Sequence, residues 1–405
     1  MKLSKLSQLF LVSAIGLILA TWLTACNIVT IDYVYVSTSG GSSSGNTGQI
    51  YSFAADAETG ALRVAHAAVS SGGNSPIAMA VDASYSNLYV ANEASNAVVH
   101  FTIASDGTLA QKDSLATTEP PVAIAINPAG TYLYVLTGTT SATLTEYPLS
   151  TGSIGSATVT ESFSVPGFAT DSLVPTAITV LPDGSAVYAA VYDASAYSPG
   201  CPSCVTSNAN PGWVFGFGVG SGGALAATAD SPYQAGIKPS GIATDPTNRF
   251  VYVTDFASNE LIGYTVQSTG ELAFMVNGPF KTGNEPGSVA VDPRGLFIYV
   301  TNALDSTVSA YSISLPTGSP SAALATSGSS SNLTDTQPVA ITVDASLARF
   351  VYTANHLGDS VSGFRLNPST GVLSPTLAGP YPTGSGPTAI VTVPHGNHAI
   401  QTTAP

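Results

Sequence analysis

Short apolar runs of four to six residues recur from about residue 31 onwards, each bounded by Gly, Pro, Asn or Asp. The unit that opens at Pro286 is the clearest. It reads Pro286-Gly287-Ser288-Val289-Ala290-Val291, then Asp292-Pro293-Arg294-Gly295, then Leu296-Phe297-Ile298-Tyr299-Val300-Thr301-Asn302. After a short polar loop, Val308-Ser309-Ala310-Tyr311-Ser312-Ile313 follows. Runs this short, rich in β-branched and aromatic residues, predict strands, and Asp-Pro-x-Gly predicts the turn between the first two.

Three residue series repeat in phase with this unit. A Tyr in the second strand recurs at Tyr35, Tyr89, Tyr134, Tyr188, Tyr252, Tyr299 and Tyr352, at spacings of 54, 45, 54, 64, 47 and 53 residues. A Pro opens the first strand at Pro76, Pro121, Pro175, Pro239, Pro286, Pro338 and Pro387. A turn after the third strand recurs as Thr59-Gly60, Asp106-Gly107, Thr151-Gly152, Thr269-Gly270 and Thr370-Gly371, with Leu or Ile two residues on. Seven units of four strands predict an all-β fold, a seven-bladed β-propeller of antiparallel blades. Tyr35 lacks a Pro-led strand before it, and Pro387 to Val393 lacks a Tyr after it. One blade is therefore split, and the C-terminal strand is expected to join the N-terminal blade and close the ring.

Composition changes the picture in two ways. A chain of 405 residues would ordinarily divide into two or three domains, whereas the repeat predicts one, over 31–394, with a tail at 395–405. Only 8% of residues are charged, with 10 Lys+Arg against 24 Asp+Glu. A surface so poor in cations cannot neutralise a phosphate backbone, which excludes nucleic acid as a partner. The 44% hydrophobic content argues against disorder.

The N-terminus carries Lys2 and Lys5, then an uncharged apolar stretch from Leu6 to Leu23, the pattern of a secretory leader. It ends in Leu23-Thr24-Ala25-Cys26, which resembles the bacterial lipobox. The expectation is a signal peptide at 1–25, lipidation at Cys26, and a tether at 26–30; a retained transmembrane anchor is the alternative. Asn27, rather than Asp, favours the outer membrane or cell surface over the inner membrane. The other cysteines, Cys201 and Cys204, lie in a loop rich in Pro, Ser and Asn. In an exported protein they are expected to form a local disulfide; a redox or metal role would call for a helix N-terminus, a second pair or a nearby His.

In a propeller, loops joining strands two and three share a face with those joining successive blades. That face is predicted to carry Glu93, Asp255, Asp305, His356 and Asp359 from the first class, and Glu119, Lys238, Lys281, Glu285 and Asp335 from the second. The insertions Thr38–Gly48, Tyr192–Gly212 and Thr317–Gln337 are assigned there too. The series Asp82, Asn127, Asp245, Asp292 and Asp344 falls at the first turn of each unit, where such side chains cap their own backbone. No nucleophile elbow, metalloprotease or P-loop motif occurs. No cofactor and no resident metal are expected; Ca²⁺ on the acidic loops is a weaker possibility.

Tyr299-Val300-Thr301-Asn302, with Tyr252-Val253-Thr254-Asp255 and Tyr89-Val90-Ala91-Asn92, resembles the YVTN propeller repeats. The run from Tyr89 and Glu93 through Val98 and Phe101 to Gly107 and Leu109, and that from Asn355 through Asp359 to Leu373, are similar to the seven-bladed lactonases. That family includes 6-phosphogluconolactonase-like enzymes and muconate cycloisomerase-like relatives. The resemblance implies inter-blade strands that open Gly-Pro-Arg-His, which hold a cation and an imidazole over the channel. All seven openings here lack them, and the family's Asn-Arg pair reads Asn355-His356; Glu93 keeps its matching place. The expectation is a monomeric, lipid-anchored envelope protein that binds a protein, glycan or small molecule on the loop face without catalysis. The alternative is a lactone hydrolase with an altered site around Glu93, His356, Lys238 and Glu285.

Overall fold

A computed structural model describes residues 29–40, 47–165, 172–195, 211–321 and 332–396. Cys26, Cys201 and Cys204 lie outside the described residues, so the lipidation and disulfide expectations are carried no further by the fold.

The strands form seven antiparallel sheets arranged as a ring. Blades 2 to 7 are led by Pro76–Val81, Pro121–Ile126, Leu173–Val180, Pro239–Thr244, Pro286–Val291 and Pro338–Val343. Blade 1 is the split one. Its order is Leu62–Asn74, Thr47–Asp56, Thr30–Thr38 and then Pro387–Pro394 as the innermost strand. Tyr33 pairs with Val393 and Tyr35 with Val391, so the ring closes as the repeat phase requires.

The core lies between blades rather than on the axis. Seven buried apolar clusters are found among the described residues, one at each blade junction. Tyr299 and Phe297 of blade 6, for example, pack with Val351 and Phe364 of blade 7. A second strand is covered on both faces by its neighbours, which is why Phe297–Asn302 and Phe250–Asp255 are buried at every position. Blades 1 and 2 have continuous outer strands, Leu62–Asn74 and Leu109–Ala116, whereas in blades 3 to 7 the edge breaks into two short pieces, as Leu272–Phe274 and Phe280–Lys281 in blade 5. A short, interrupted edge offers little template for pairing with another chain.

The Asp/Asn series caps its own turns. Asp292 Oδ1 accepts the N–H groups of Leu296 at 2.6 Å and Phe297 at 2.8 Å. Asp245 does the same for Arg249 and Phe250, and Asn127 for Thr131 and Tyr132.

The Tyr and Gly series prove to be partners. Tyr35 donates to the carbonyl of Gly107 (2.8 Å), Tyr188 to Gly270 (2.7 Å), Tyr252 to Gly318 (2.7 Å), Tyr299 to Gly371 (2.9 Å) and Tyr352 to Gly60 (2.9 Å). Tyr89 donates likewise to Gly152. Each bond runs from one blade to the next, and the last returns from blade 7 to blade 1. The glycines sit at positive φ, +70° at Gly60 and +85° at Gly270, where a Cβ is disfavoured.

One loop assignment needs correction. Thr317 and Gly318 are the turn after the third strand of blade 6, since Gly318 receives Tyr252. The insertion therefore interrupts the outer strand, between Ser319–Ser321 and Asn332–Leu333, instead of springing from the loop face. Pro320, standing where the series has Leu, hid this turn.

The mouth of the central channel as candidate site

The innermost strands surround an axial cavity of about 510 Å³. Every blade contributes the three residues after its opening proline. The first position is Ile77, Val122, Thr176, Ser240, Gly287, Val339 or Thr388. The second is small throughout: Ala78, Ala123, Ala177, Gly241, Ser288, Ala340 and Ala389. The third is Met, Ile or Val, from Met79 round to Ile390.

A register shift falls in this stretch of each blade, as between Pro76 and Ala78 or between Pro239 and Gly241. In blade 1 the same shift leaves out Thr388, between Ala389 opposite Ser37 and Pro387 opposite Thr38. The bulge exists because an extra residue is accommodated after the proline, and it presents that residue to the cavity. These are the positions at which the resemblance places Arg and His. They do face the channel, but this chain fills them with side chains no larger than Ile and with no cation.

Three hydroxyls on the wall, those of Thr388, Ser240 and Thr176, are already engaged. Thr388 Oγ1 donates to Pro76 O at 2.6 Å, Ser240 Oγ to Pro286 O at 2.6 Å, and Thr176 Oγ1 to Ala190 O at 3.1 Å. The first two tie one blade's innermost strand to the next, and the third ties the innermost strand of blade 4 to its second strand.

Two polar side chains remain at the mouth, Gln337 and His356, both from blade 7. His356 follows the end of Phe350–Asn355, and its N–H donates to Gln337 O at 2.7 Å. Its Nδ1 lies 3.0 Å from Pro387 O. A carbonyl can only accept, so Nδ1 carries the hydrogen and Nε2 presents a lone pair. Among the described cavity-lining residues His356 is the one ionisable group.

Lys238 and Glu285 stand immediately before the opening prolines of blades 5 and 6, the place Gln337 holds in blade 7. Lys238 Nζ lies 4.5 Å from the Phe256 ring centroid and 5.5 Å from that of Tyr192. Burial pushes its ammonium below the ordinary lysine range, against the pull of the Glu285 carboxylate. Glu285 borders a separate hollow of about 560 Å³ with Phe256, Asn259, Asn284 and Leu304. Glu93 belongs to blade 2, on a 3₁₀ turn Glu93–Ser95 anchored by its N–H to Ser75 O. The four candidates thus fall into three places. His356 is in the axial cavity, Lys238 and Glu285 form a rim pair over blades 5 and 6, and Glu93 stands apart.

Four other acidic residues assigned to this face brace loops, while Glu119 accepts Thr117 Oγ1 through its backbone carbonyl at 2.8 Å. Asp255 is fully buried and accepts the N–H groups of Ile237 at 2.8 Å and Lys238 at 3.0 Å. Asp305 receives Asn284 N at 2.7 Å, Asp359 receives Gly386 N at 2.8 Å, and Asp335 receives Ser360 Oγ at 2.8 Å. Lys281 pairs with Glu260 at 2.7 Å on an outer strand. No group of three or more metal-ligating side chains occurs among the described residues. Sequence reasoning placed Gln337 on this face only as the end of an insertion and did not single it out as a side chain lining the mouth.

Solved structures of the same architecture align along nearly their full lengths. The periplasmic gluconolactonase PpgL of Pseudomonas aeruginosa superposes with a TM-score of 0.70 at 17% identity, covering 90% of this chain and 99% of its own. A putative 6-phosphogluconolactonase from Bacteroides fragilis gives 0.71 at 16% identity, over 91% and 99%. A second putative 6-phosphogluconolactonase, from Bacteroides uniformis, gives 0.70 at 16%, over 90% and 100%. Among curated proteins none is a significant match to this chain. The family model described as "Lactonase, 7-bladed beta-propeller" matches residues 28–126 and 104–400. This ring, with its bulged axial wall, belongs to the seven-bladed β-propeller lactonase family.

Proposed function

We propose that this lactonase-family propeller binds a neutral ligand, a glycan or small sugar-like molecule, at the channel mouth without turning it over. The observation that carries the reading is the axial wall: seven bulged positions with no Arg, Lys, Asp or Glu among them. Hydrolysis of an anionic lactone needs cations for the ligand's charge and for the oxyanion that develops. A wall of Ile, Val, Ala, Thr and Ser instead suits an uncharged ligand with apolar faces, which Gln337 and His356 can orient by hydrogen bonds. The test is a glycan array probed with the wild-type protein and with Gln337→Ala. Retention of defined glycans that drops at least ten-fold in the variant supports the reading; no retention by wild type overturns it.

A second reading has one specific observation in its favour. His356 holds Nδ1 on a backbone carbonyl, which in the neutral ring makes Nε2 the accepting nitrogen, the arrangement that activation of a water requires. On this reading the protein hydrolyses neutral lactones.

We further infer an envelope setting, with Cys26 acylated and the propeller monomeric. The support is the basic then apolar leader and Leu23-Thr24-Ala25-Cys26. Labelled palmitate should enter the wild-type protein in cells and be absent from Cys26→Ala; equal labelling of the two overturns the anchor.

A further inference from the structure

Asp32 and Asp344 meet across the seam where the ring closes. Asp32 lies in Thr30–Thr38 of the split blade, paired with Pro394 of the C-terminal strand. Asp344 caps the first turn of blade 7. Both carboxyls are fully buried, as is Ser346 between them. Ser346 Oγ lies 2.7 Å from Asp344 Oδ1 and 3.4 Å from Asp32 Oδ1.

The partners of the two acids differ. Asp344 accepts the N–H groups of Ser346 at 2.8 Å, Leu347 at 3.2 Å and Arg349 at 3.2 Å. Asp32 has little beyond Ser346, and its Oδ2 is buried with no N–H or O–H donor. What stands within hydrogen-bonding reach of Asp32 is the other carboxyl. The groups around them are phenols: Tyr352 of blade 7, and Tyr85 from the first turn of blade 2. Neither acid makes an ion pair with a Lys, Arg or His among the described residues.

Two ionised carboxylates in contact and out of water repel each other, and neither can donate. One proton placed between them removes a charge and turns an acceptor–acceptor contact into a hydrogen bond. We propose that Asp32 holds a proton against Asp344 across the seam between blades 1 and 7, so that closure of the ring is locked in acid and loosened as the proton leaves.

The sign follows from linkage. Burial first, then the charge of Asp344, raises Asp32 well above its ordinary value of 3.8. Folding therefore takes up a proton that the unfolded chain has released above that value. The stabilisation is fully present below the unfolded value and is lost as pH rises through the raised folded one.

The test compares melting of wild type, Asp32→Asn and Asp344→Asn at pH 4.5 and pH 8.5. Asn at 32 keeps a permanent N–H donor, and Asn127 already serves the capping role in blade 3, so both variants should fold. The wild type should lose roughly 2–4 °C more than Asp32→Asn between the two pH values. A protonated-carboxyl infrared band should persist at neutral pH in wild type and vanish in Asp32→Asn. Parallel pH profiles, or no such band, would overturn the proposal. So would a wild-type melting point raised by millimolar Ca²⁺ and lowered by chelator but unmoved in Asp32→Asn, because the pair would then hold a cation.

Discussion

A phenol hydroxyl explains why two residue series keep step along the chain. Tyr299 can reach the Gly371 carbonyl only if the turn of the next blade places that oxygen at the junction, and Gly371 at φ +73° makes the turn. A Cβ there would also lie 2.3 Å from Phe297 Cδ1. Gly371→Ala should cost roughly 2–5 kcal/mol, from left-handed backbone and overpacking together, read as a lowered melting point. Tyr299→Phe should cost about 1 kcal/mol, the net worth of one such bond. Tyr134 is the exception. The Glu146 carboxyl stands beside it and beneath Gly223, whose added Cβ would fall 2.6 Å from Glu146 Oε1. Burial pushes Glu146 above the ordinary carboxyl range. Tyr134→Phe should therefore cost less than Tyr299→Phe in the same denaturant titration, since no interblade carbonyl bond is lost.

At the scale of the strand, period and punctuation made most of the fold legible. Pro at the head, Tyr within the second strand and Gly after the third each answer a local constraint that leaves a trace in one residue. The split blade was legible for the same reason, as a missing Pro at one end and a missing Tyr at the other. Truncation before Pro387 removes the innermost strand of blade 1 and leaves Thr30–Thr38 with an open edge. The truncated chain should lose its cooperative melting transition and aggregate; an unchanged transition would contradict non-covalent closure. The blade 6 turn was illegible because Gly318-Ser319-Pro320 lacks the apolar residue that marks its counterparts. Which side chains reach the mouth was legible only in part. The position after each proline could be read as facing the channel by resemblance. That Gln337 joins His356, while Lys238 leans onto Phe256, depends on bulges and loop packing that leave no periodic signature.

For the whole molecule, the seven apolar clusters occupy the blade junctions and leave the axis open, and wall residues such as Ile124, Val289, Ile341 and Ile390 belong to those clusters. On this geometry the low charge of the chain leaves the axial wall without the groups that anionic lactone chemistry requires. Acid-favoured closure at Asp32 and Asp344 is a property of the ring alone and does not depend on what the mouth binds.

The most direct test of the central claim is hydrolysis of a lactone panel, anionic sugar lactones and neutral ones together, by wild type and His356→Ala. Binding without turnover predicts that the two proteins give the same rate as buffer on every lactone. Turnover of any lactone by the wild type that disappears in His356→Ala would contradict it.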